Sequence, residues 1–159
     1  MASLPYYKQA TDYTCGPACL RMLLAYHGIN LEESEIAERA GTTPEGTKLE
    51  GIIKLLADLG LSAKAKTEAT IDDVVSCLDN GIPVMVNYIE PTDEEGHYAI
   101  IHGYTETEFI LHDPWNGENF TLGRSEFENR WYDHQSGELV SRWLLVVKPQ
   151  DLPEIPAVK

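Results

Sequence analysis

Positively charged side chains are scarce in this chain. Its 159 residues include 12 lysines and arginines against 26 aspartates and glutamates, which gives a formal net charge of −14 at neutral pH. Such a charge repels phosphates and anionic lipid head groups, so it argues against nucleic acid or an anionic membrane as a partner. A basic or neutral peptide or protein partner fits better. A surface that is acidic only for solubility would carry the same charge.

Long apolar runs are also missing. No stretch approaches the roughly 20 apolar residues that cross a bilayer. The first residues lack the cationic start and apolar segment of a signal peptide. We therefore expect no membrane span in this chain and a cytoplasmic location.

Cysteines are few, and they are not spaced for metal binding. The three cysteines are an odd number and too few for a disulfide framework. No paired Cys-x-x-Cys or histidine spacing of a zinc site is present. We predict reduced thiols and no metal site, and the sequence implies no cofactor.

What the chain does contain is a change in the spacing of its apolar residues, from a helical pattern in the N-terminal half to a strand pattern in the C-terminal half. Apolar spacing predicts helices at residues 15–27, 30–39, 48–59, 70–78 and 125–131, and β-rich runs at 61–67, 83–89, 98–104, 108–112 and 142–147. Asn30 is the predicted cap of the second helix, and Ile53 is assigned to the inward face of the third. Helices first and an antiparallel sheet afterwards predict an α+β domain over residues 1–148 with a cleft between the two parts. Residues 149–159 are predicted to form a tail.

Cys15 lies at the start of the first predicted helix, where backbone N–H groups lack intrahelical partners and the helix dipole favours negative charge. A thiol there ionises more easily, and the thiolate is the reactive form. Gly16 would allow a substrate to approach the backbone closely. The alternative is that Cys15 is a small apolar residue on the same helix stripe as Cys19. Cys19 and Cys77 fit core packing.

His97 opens a predicted strand after an acidic loop, a position from which an imidazole can face a cleft and act as a general base. Asp113 ends the next strand, so antiparallel pairing would bring its carboxylate beside His97 and fix the ring's tautomer. His102 and His112 are competing candidates for the base. Of the remaining histidines, His27 lies near a helix end and His134 in a loop, where structural or solvated roles are simplest.

Three motifs occur together: Gln9 followed by Cys15-Gly-Pro-Ala-Cys19, then Gly96-His97-Tyr-Ala-Ile-Ile, then His112-Asp113-Pro-Trp-Asn-Gly. In type, order and spacing this set resembles the bacteriocin-processing, double-glycine leader peptidases, a family of papain-like cysteine peptidases. The resemblance covers about residues 5–148. It implies a papain-like fold with Cys15 as nucleophile, His97 as general base and Asp113 as its orienting residue. Gln9 and the backbone N–H of Cys15 would form the oxyanion hole.

The chain departs from that family in two ways. Members fused to peptide exporters often carry Asp immediately before the nucleophile, where this chain has Thr14. No exporter segment is recognisable either, so we expect a stand-alone processing peptidase, for which a separate exporter is a candidate partner, or a relative with another substrate.

Three hypotheses follow from the motifs. The chain hydrolyses a peptide through a thioester at Cys15, passes the acyl group to an amine or thiol as a transpeptidase or acyltransferase, or binds a peptide without catalysis. The acidic loop at residues 90–95 is expected to favour basic or neutral peptide segments and to raise the proton affinity of His97, unless it is ordinary solvated surface.

Overall fold

The computed structural model describes residues 3–148 of the chain. The helices are α1 (Cys15–Tyr26), α2 (Glu33–Arg39), α3 (Leu49–Asp58), α4 (Ile71–Asp79) and α5 (Arg124–Arg130). The strands are β1 (Ser62–Lys66), β2 (Val84–Ile89), β3 (Gly96–Tyr104), β4 (Glu108–Asp113), β5 (Gly117–Gly123), β6 (Tyr132–Gln135), β7 (Glu138–Ser141) and β8 (Leu144–Lys148). The predicted tail at residues 149–159 lies outside the described range.

Six strands form one sheet in the order β1-β8-β2-β3-β4-β5, and β6 pairs with β7 in a separate hairpin. Each of these strand pairs is antiparallel. Strand β8 is the last of the strands described within residues 3–148, yet it lies between β1 and β2. The predicted α+β class, with an antiparallel sheet after the N-terminal helices, is confirmed.

Two hydrophobic clusters cover the two faces of this sheet. On one face, Met85, Ile100 and Leu145 pack against apolar side chains of α1, α2 and α3. On the other face, Val86, Ile101 and neighbouring strand residues pack against side chains of α4 and α5. Because both faces are buried, the first half of β2, Val84–Val86, and the middle of β3 are continuous apolar runs instead of alternating ones.

Local signals explain where some helices begin and end. Helix α4 starts with a capping box, in which the Thr70 side chain accepts from the backbone of Asp73 and the Asp73 side chain accepts from the backbone of Thr70. The predicted cap at Asn30 is wrong, because α2 begins at Glu33 with Glu32 as its N-cap. The backbone N–H of Ile29 still bonds to α1, so α2 begins only after the chain has left that helix.

Other differences from the sequence prediction have physical reasons. Ile53 is 37% exposed and was wrongly assigned to the inward face of α3, whose buried stripe is formed by Ile52, Leu55 and Leu56. Strand β5 was not predicted because it is a polar, partly exposed strand at the sheet edge. The β6–β7 hairpin was missed because its first strand reads Tyr-Asp-His-Gln and lacks apolar alternation.

The sheet register brings polar side chains together at one end of β3. Tyr88 on β2 pairs directly with His97. His112 on β4 pairs with Ile100, so the following residue, Asp113, continues toward His97. None of the helices within residues 3–148 is long and apolar enough to cross a bilayer.

Candidate active site

Cys15 is the first residue of α1, and it is half-buried beside the hydrophobic cluster that α1, α2 and α3 form on one face of the sheet. Its side chain and the His97 imidazole line the same two cavities. Gly16 is buried, and a Cβ there would lie 3.0 Å from the Thr47 hydroxyl. Thr47 makes the close approach that the absence of a side chain at Gly16 permits.

His97 connects the thiol to a buried carboxylate. Its Nε2 lies 2.7 Å from Asp113 Oδ1, which leaves Nδ1 for the thiol of Cys15. Burial alone would lower the pKa of His97, but attraction to a Cys15 thiolate and the hydrogen bond with Asp113 outweigh it and raise the pKa above its usual value. The site thus favours the imidazolium form of His97.

Asp113 is completely buried, and donors surround its carboxylate. Oδ1 accepts hydrogen bonds from His97 and from the backbone N–H groups of Trp115 and Asn116. Oδ2 accepts from the Tyr88 hydroxyl at 2.5 Å and from the Asn116 side chain at 3.3 Å. Burial would raise the pKa of Asp113, but the hydrogen bond from His97, attraction to it and the other donors lower it below the usual value. The carboxylate stays ionised and fixed toward His97.

Gln9 lies in a turn that leads into α1 and is buried. Its Nε2 donates one hydrogen bond to the Thr11 carbonyl at 2.7 Å. A side-chain amide carries two N–H donors, so the second one is available to another acceptor. The Thr14 hydroxyl accepts from the Thr11 backbone N–H and makes no capping bond to α1. Thr14 therefore shapes the Gln9 turn.

Three further hydrogen bonds fix the residues before α1 relative to the rest of the site. The backbone N–H of Gln9 donates to the Pro114 carbonyl at 3.1 Å, and that of Ala10 donates to the buried Glu33 carboxylate at 2.9 Å. The hydroxyl of Tyr6 donates to the Asp113 carbonyl at 2.9 Å. Residues preceding α1 are thereby attached to the end of β4 and to the start of α2.

Two cavities meet at Cys15 and His97. One has a volume of about 200 Å³ and lies between the turn at residues 41–48, the start of β3 and the β6–β7 hairpin. The other, of about 60 Å³, is lined by Gln9, Asp12, Cys15, Glu90, Asp93, Glu95, Gly96, His97 and Trp115. The structure thus brings all four predicted site residues, Gln9, Cys15, His97 and Asp113, to one end of the sheet.

The competing histidines lie elsewhere. His112 is buried, with Nε2 3.0 Å from the Leu4 carbonyl and its ring 4.2 Å from that of His102. Both line a cavity of about 370 Å³ that contains neither Cys15 nor His97. Cys19 and Cys77 are free and buried, as predicted for core residues. Among residues 3–148, no group of three or more His, Cys, Asp or Glu side chains is arranged to hold a metal ion.

Most acidic side chains of the loop at residues 90–95 already have partners within the structure. Glu90 is buried and accepts hydrogen bonds from the backbone of Thr92 and Asp93, so it closes the loop. Glu94 forms an ion pair with Arg130. Asp93 accepts a hydrogen bond from the Trp115 indole at 2.8 Å. Only part of the predicted acidic surface therefore remains to face a ligand.

Tyr88 and Asn116 are site residues that sequence reasoning missed. A signal for Tyr88 was present, because counting outward from the loop at residues 90–95 pairs Ile89 with Gly96 and Tyr88 with His97. Asn116 follows Asp113 in a turn, and its side chain contacts both Asp113 and Glu90. Its role depends on the fold of the acidic loop, which the sequence does not reveal.

The fold defines the class: its structural neighbours are papain-like peptidase domains. The peptidase domain of Streptococcus ComA, described as a bi-functional ABC transporter, superposes with a TM-score of 0.73 at 21% identity and covers 93% of this chain and 100% of that domain. A double glycine motif protease from an AMS/PCAT transporter, solved with its leader peptide, gives a TM-score of 0.72 at 20% identity over 94% of each chain. At these identities the likeness shows the fold.

Residues 3–135 match the model of the peptidase C39 family, and the chain belongs to that family. An uncharacterised protein of Methanothermobacter thermautotrophicus is 34% identical over 119 residues, which are 75% of this chain and 77% of that protein. The pediocin PA-1 transport/processing ATP-binding protein PedD of Pediococcus acidilactici is 29% identical over 127 residues, 79% of this chain. The match spans only 17% of PedD.

Proposed function

We propose that this chain is a cysteine peptidase that cleaves a leader segment from a peptide, with Cys15 as the nucleophile. The observation that carries the proposal is the buried connection from Cys15 through His97 to Asp113. In it, His97 takes the thiol proton, Asp113 stabilises the imidazolium, and the thiolate attacks the scissile carbonyl. The second N–H of Gln9 Nε2 and the backbone N–H of Cys15 are the proposed donors to the oxyanion.

His97 then returns its proton to the leaving amine, which departs and leaves a thioester on Cys15. Water activated by His97 attacks the thioester and releases the acid, which restores the thiol. The names of the relatives support a peptide substrate with a double-glycine leader. Since those names join processing to transport, a separate exporter is the proposed partner, and the cytoplasm the proposed location.

The test combines alkylation with cleavage. We expect iodoacetamide at neutral pH to modify Cys15 well before Cys19 and Cys77, because burial raises the pKa of both latter thiols, that of Cys77 to about 11. Cys15→Ala should abolish cleavage of peptides that contain Gly-Gly, whereas the matched variant Cys77→Ala should retain it. Labelling of Cys15 no faster than that of Cys77 would refute the assignment.

Product analysis separates the remaining hypotheses. Mass spectrometry of reactions with and without a competing amine distinguishes a free carboxylate product from an amide. An amide as the main product would replace hydrolysis by acyl transfer. If no peptide is turned over and its affinity is unchanged in a Cys15→Ala, His97→Ala variant, the chain is a binding module.

A further inference from the structure

The larger cavity beside Cys15 contains polar groups that the proposed reaction does not use. Its walls are the turn at residues 41–48, the start of β3 and the β6–β7 hairpin. The Gln135 amide in this wall is engaged on both sides, since it donates to the Tyr98 hydroxyl and accepts from the Leu49 backbone. Asn87 and Asp133, which line the same cavity, are less fully engaged.

Asn87 lies on β2, opposite Tyr98, and is 1% exposed. Its Nδ2 donates to the His97 carbonyl at 3.3 Å, and its side chain lines the same cavity as Asp133. Its Oδ1 has no hydrogen-bond partner within the described part of the chain. A buried acceptor without a donor costs free energy, so this wall of the cavity is suited to a ligand that brings a donor.

Asp133 lies on β6 with its carboxylate directly against the backbone of Gly96, the residue that precedes His97. A Cβ at position 96 would overlap both carboxylate oxygens, so this packing requires glycine there. The backbone N–H of His134 donates to Asp133 Oδ1 at 2.7 Å. The carboxylate is thereby fixed in the wall of the cavity that contains Cys15 and His97.

We propose that Asp133, together with Asn87 in the same cavity wall, forms a subsite for a positively charged side chain of the peptide on the hairpin side of Cys15. The inference rests on the proposed function and specifies its substrate. The ligand is a lysine or arginine close to the scissile bond, whose N–H donors match the carboxylate and the vacant Asn87 acceptor. The other charged or titratable side chains at this cavity are Cys15 and His97 at its floor, Lys48 and Glu45, which carry opposite charges on the turn at its rim, and His134 on the hairpin.

The experiment uses neutral peptides with a central Gly-Gly, in which one lysine is moved through the positions on both sides. The reference at each position is norleucine, which has a similar length and no charge. Binding to the Cys15→Ala protein is followed by fluorescence anisotropy, and turnover is measured with the active protein. We expect one position where lysine improves both affinity and kcat/KM about tenfold over norleucine, as for a hydrogen bond between charged partners.

Asp133→Asn should reduce that lysine preference to about twofold or less, since the amide keeps the shape but loses the charge. Gly96→Ala should reduce it as well, because the added methyl group displaces the carboxylate without changing the net charge. Glu45→Gln is the matched control, because it removes one charge from the rim of the same cavity and should leave most of the preference.

The subsite is refuted if no position prefers lysine, if the preference survives Asp133→Asn, or if Glu45→Gln lowers it equally. The proposed function is judged separately. Lysine-dependent binding that requires Asp133 but is accompanied by no turnover would retain the subsite and reject the peptidase. Turnover without dependence on Asp133 would reject the subsite and retain the peptidase.

Discussion

Replacing Tyr88 by phenylalanine should weaken the candidate site without changing its shape. The Tyr88 hydroxyl donates to Asp113 Oδ2 at 2.5 Å, and its ring packs 5.8 Å from that of Phe127. Burial and the neighbouring Asp113 carboxylate raise the pKa of Tyr88 above its usual value, so the phenol remains a donor. Phenylalanine keeps the ring and removes only the hydroxyl.

The size of the effect follows from what remains. Oδ1 keeps its three donors, whereas Oδ2 keeps only the Asn116 side chain at 3.3 Å. A hydrogen bond to a buried ionised group contributes about 1.5–3 kcal/mol, so we expect the free energy of unfolding to fall by about 2 kcal/mol at neutral pH. If the same loss is felt in the transition state, kcat/KM for peptide cleavage falls by at most about thirtyfold.

The loss of unfolding free energy in Tyr88→Phe should depend on pH, and its direction can be worked out. The folded-state pKa of Asp113 is depressed, so its contribution to stability is fully present above the unfolded pKa of about 3.9 and disappears as pH falls through the folded value. The stability difference between wild type and Tyr88→Phe should therefore shrink from neutral pH to about pH 3. Urea unfolding at several pH values measures it.

Tyr104→Phe is the matched control, because the Tyr104 hydroxyl also bonds to a carboxylate, that of Asp79, but on the exposed surface. Its unfolding free energy should change by less than about 0.5 kcal/mol. If Tyr88→Phe behaves like Tyr104→Phe, or if its loss of stability is the same at every pH, Tyr88 does not act through the ionised Asp113.

Two other variants test separate parts of the site. Gly96→Ala should lower the free energy of unfolding by about 1–3 kcal/mol, because the added methyl group overpacks against Asp133. In urea unfolding, adding Asp133→Ala to this variant should restore part of that loss. If it restores nothing, the methyl group acts through another contact. The double variant Asp93→Asn, Glu95→Gln should lower the preference for cationic peptides in dilute buffer. At about 1 M salt, where exposed charges are screened, it should have no effect. If the preference in dilute buffer is unchanged, the loop at residues 90–95 is ordinary surface.

Much of the fold was predictable because its signals are local. The capping box at Thr70, the apolar stripe of α1 and the apolar runs of β2 and β3 each depend on residues close in sequence. The strands that the sequence did not predict depend on contacts between distant segments. Strand β5 is held by β4 despite its polar sequence, and the hairpin at residues 132–141 lies beside β2 and β3.

The candidate site divides in the same way. Gln9, Cys15, His97 and Asp113 were identified by residue type and order, and the structure brings them together. Glu33, which fixes the Gln9 turn, and Asn87 and Asp133, which line the cavity, have no recognisable motif. Their positions follow from how α2, β2 and β6 pack around Cys15, and one sequence alone does not specify that packing.

The position of β8 links the candidate site to synthesis of the chain. Since residues 144–148 insert between β1 and β2, a ribosome-bound chain lacks a central strand until these residues have emerged. Up to that point β2 has no neighbour on that side, although Cys15 was made more than a hundred residues earlier. The sheet can therefore be completed only late in translation, by pairing between segments that are distant in sequence. We expect Cys15 to become reactive only when nearly all residues of the domain have been made.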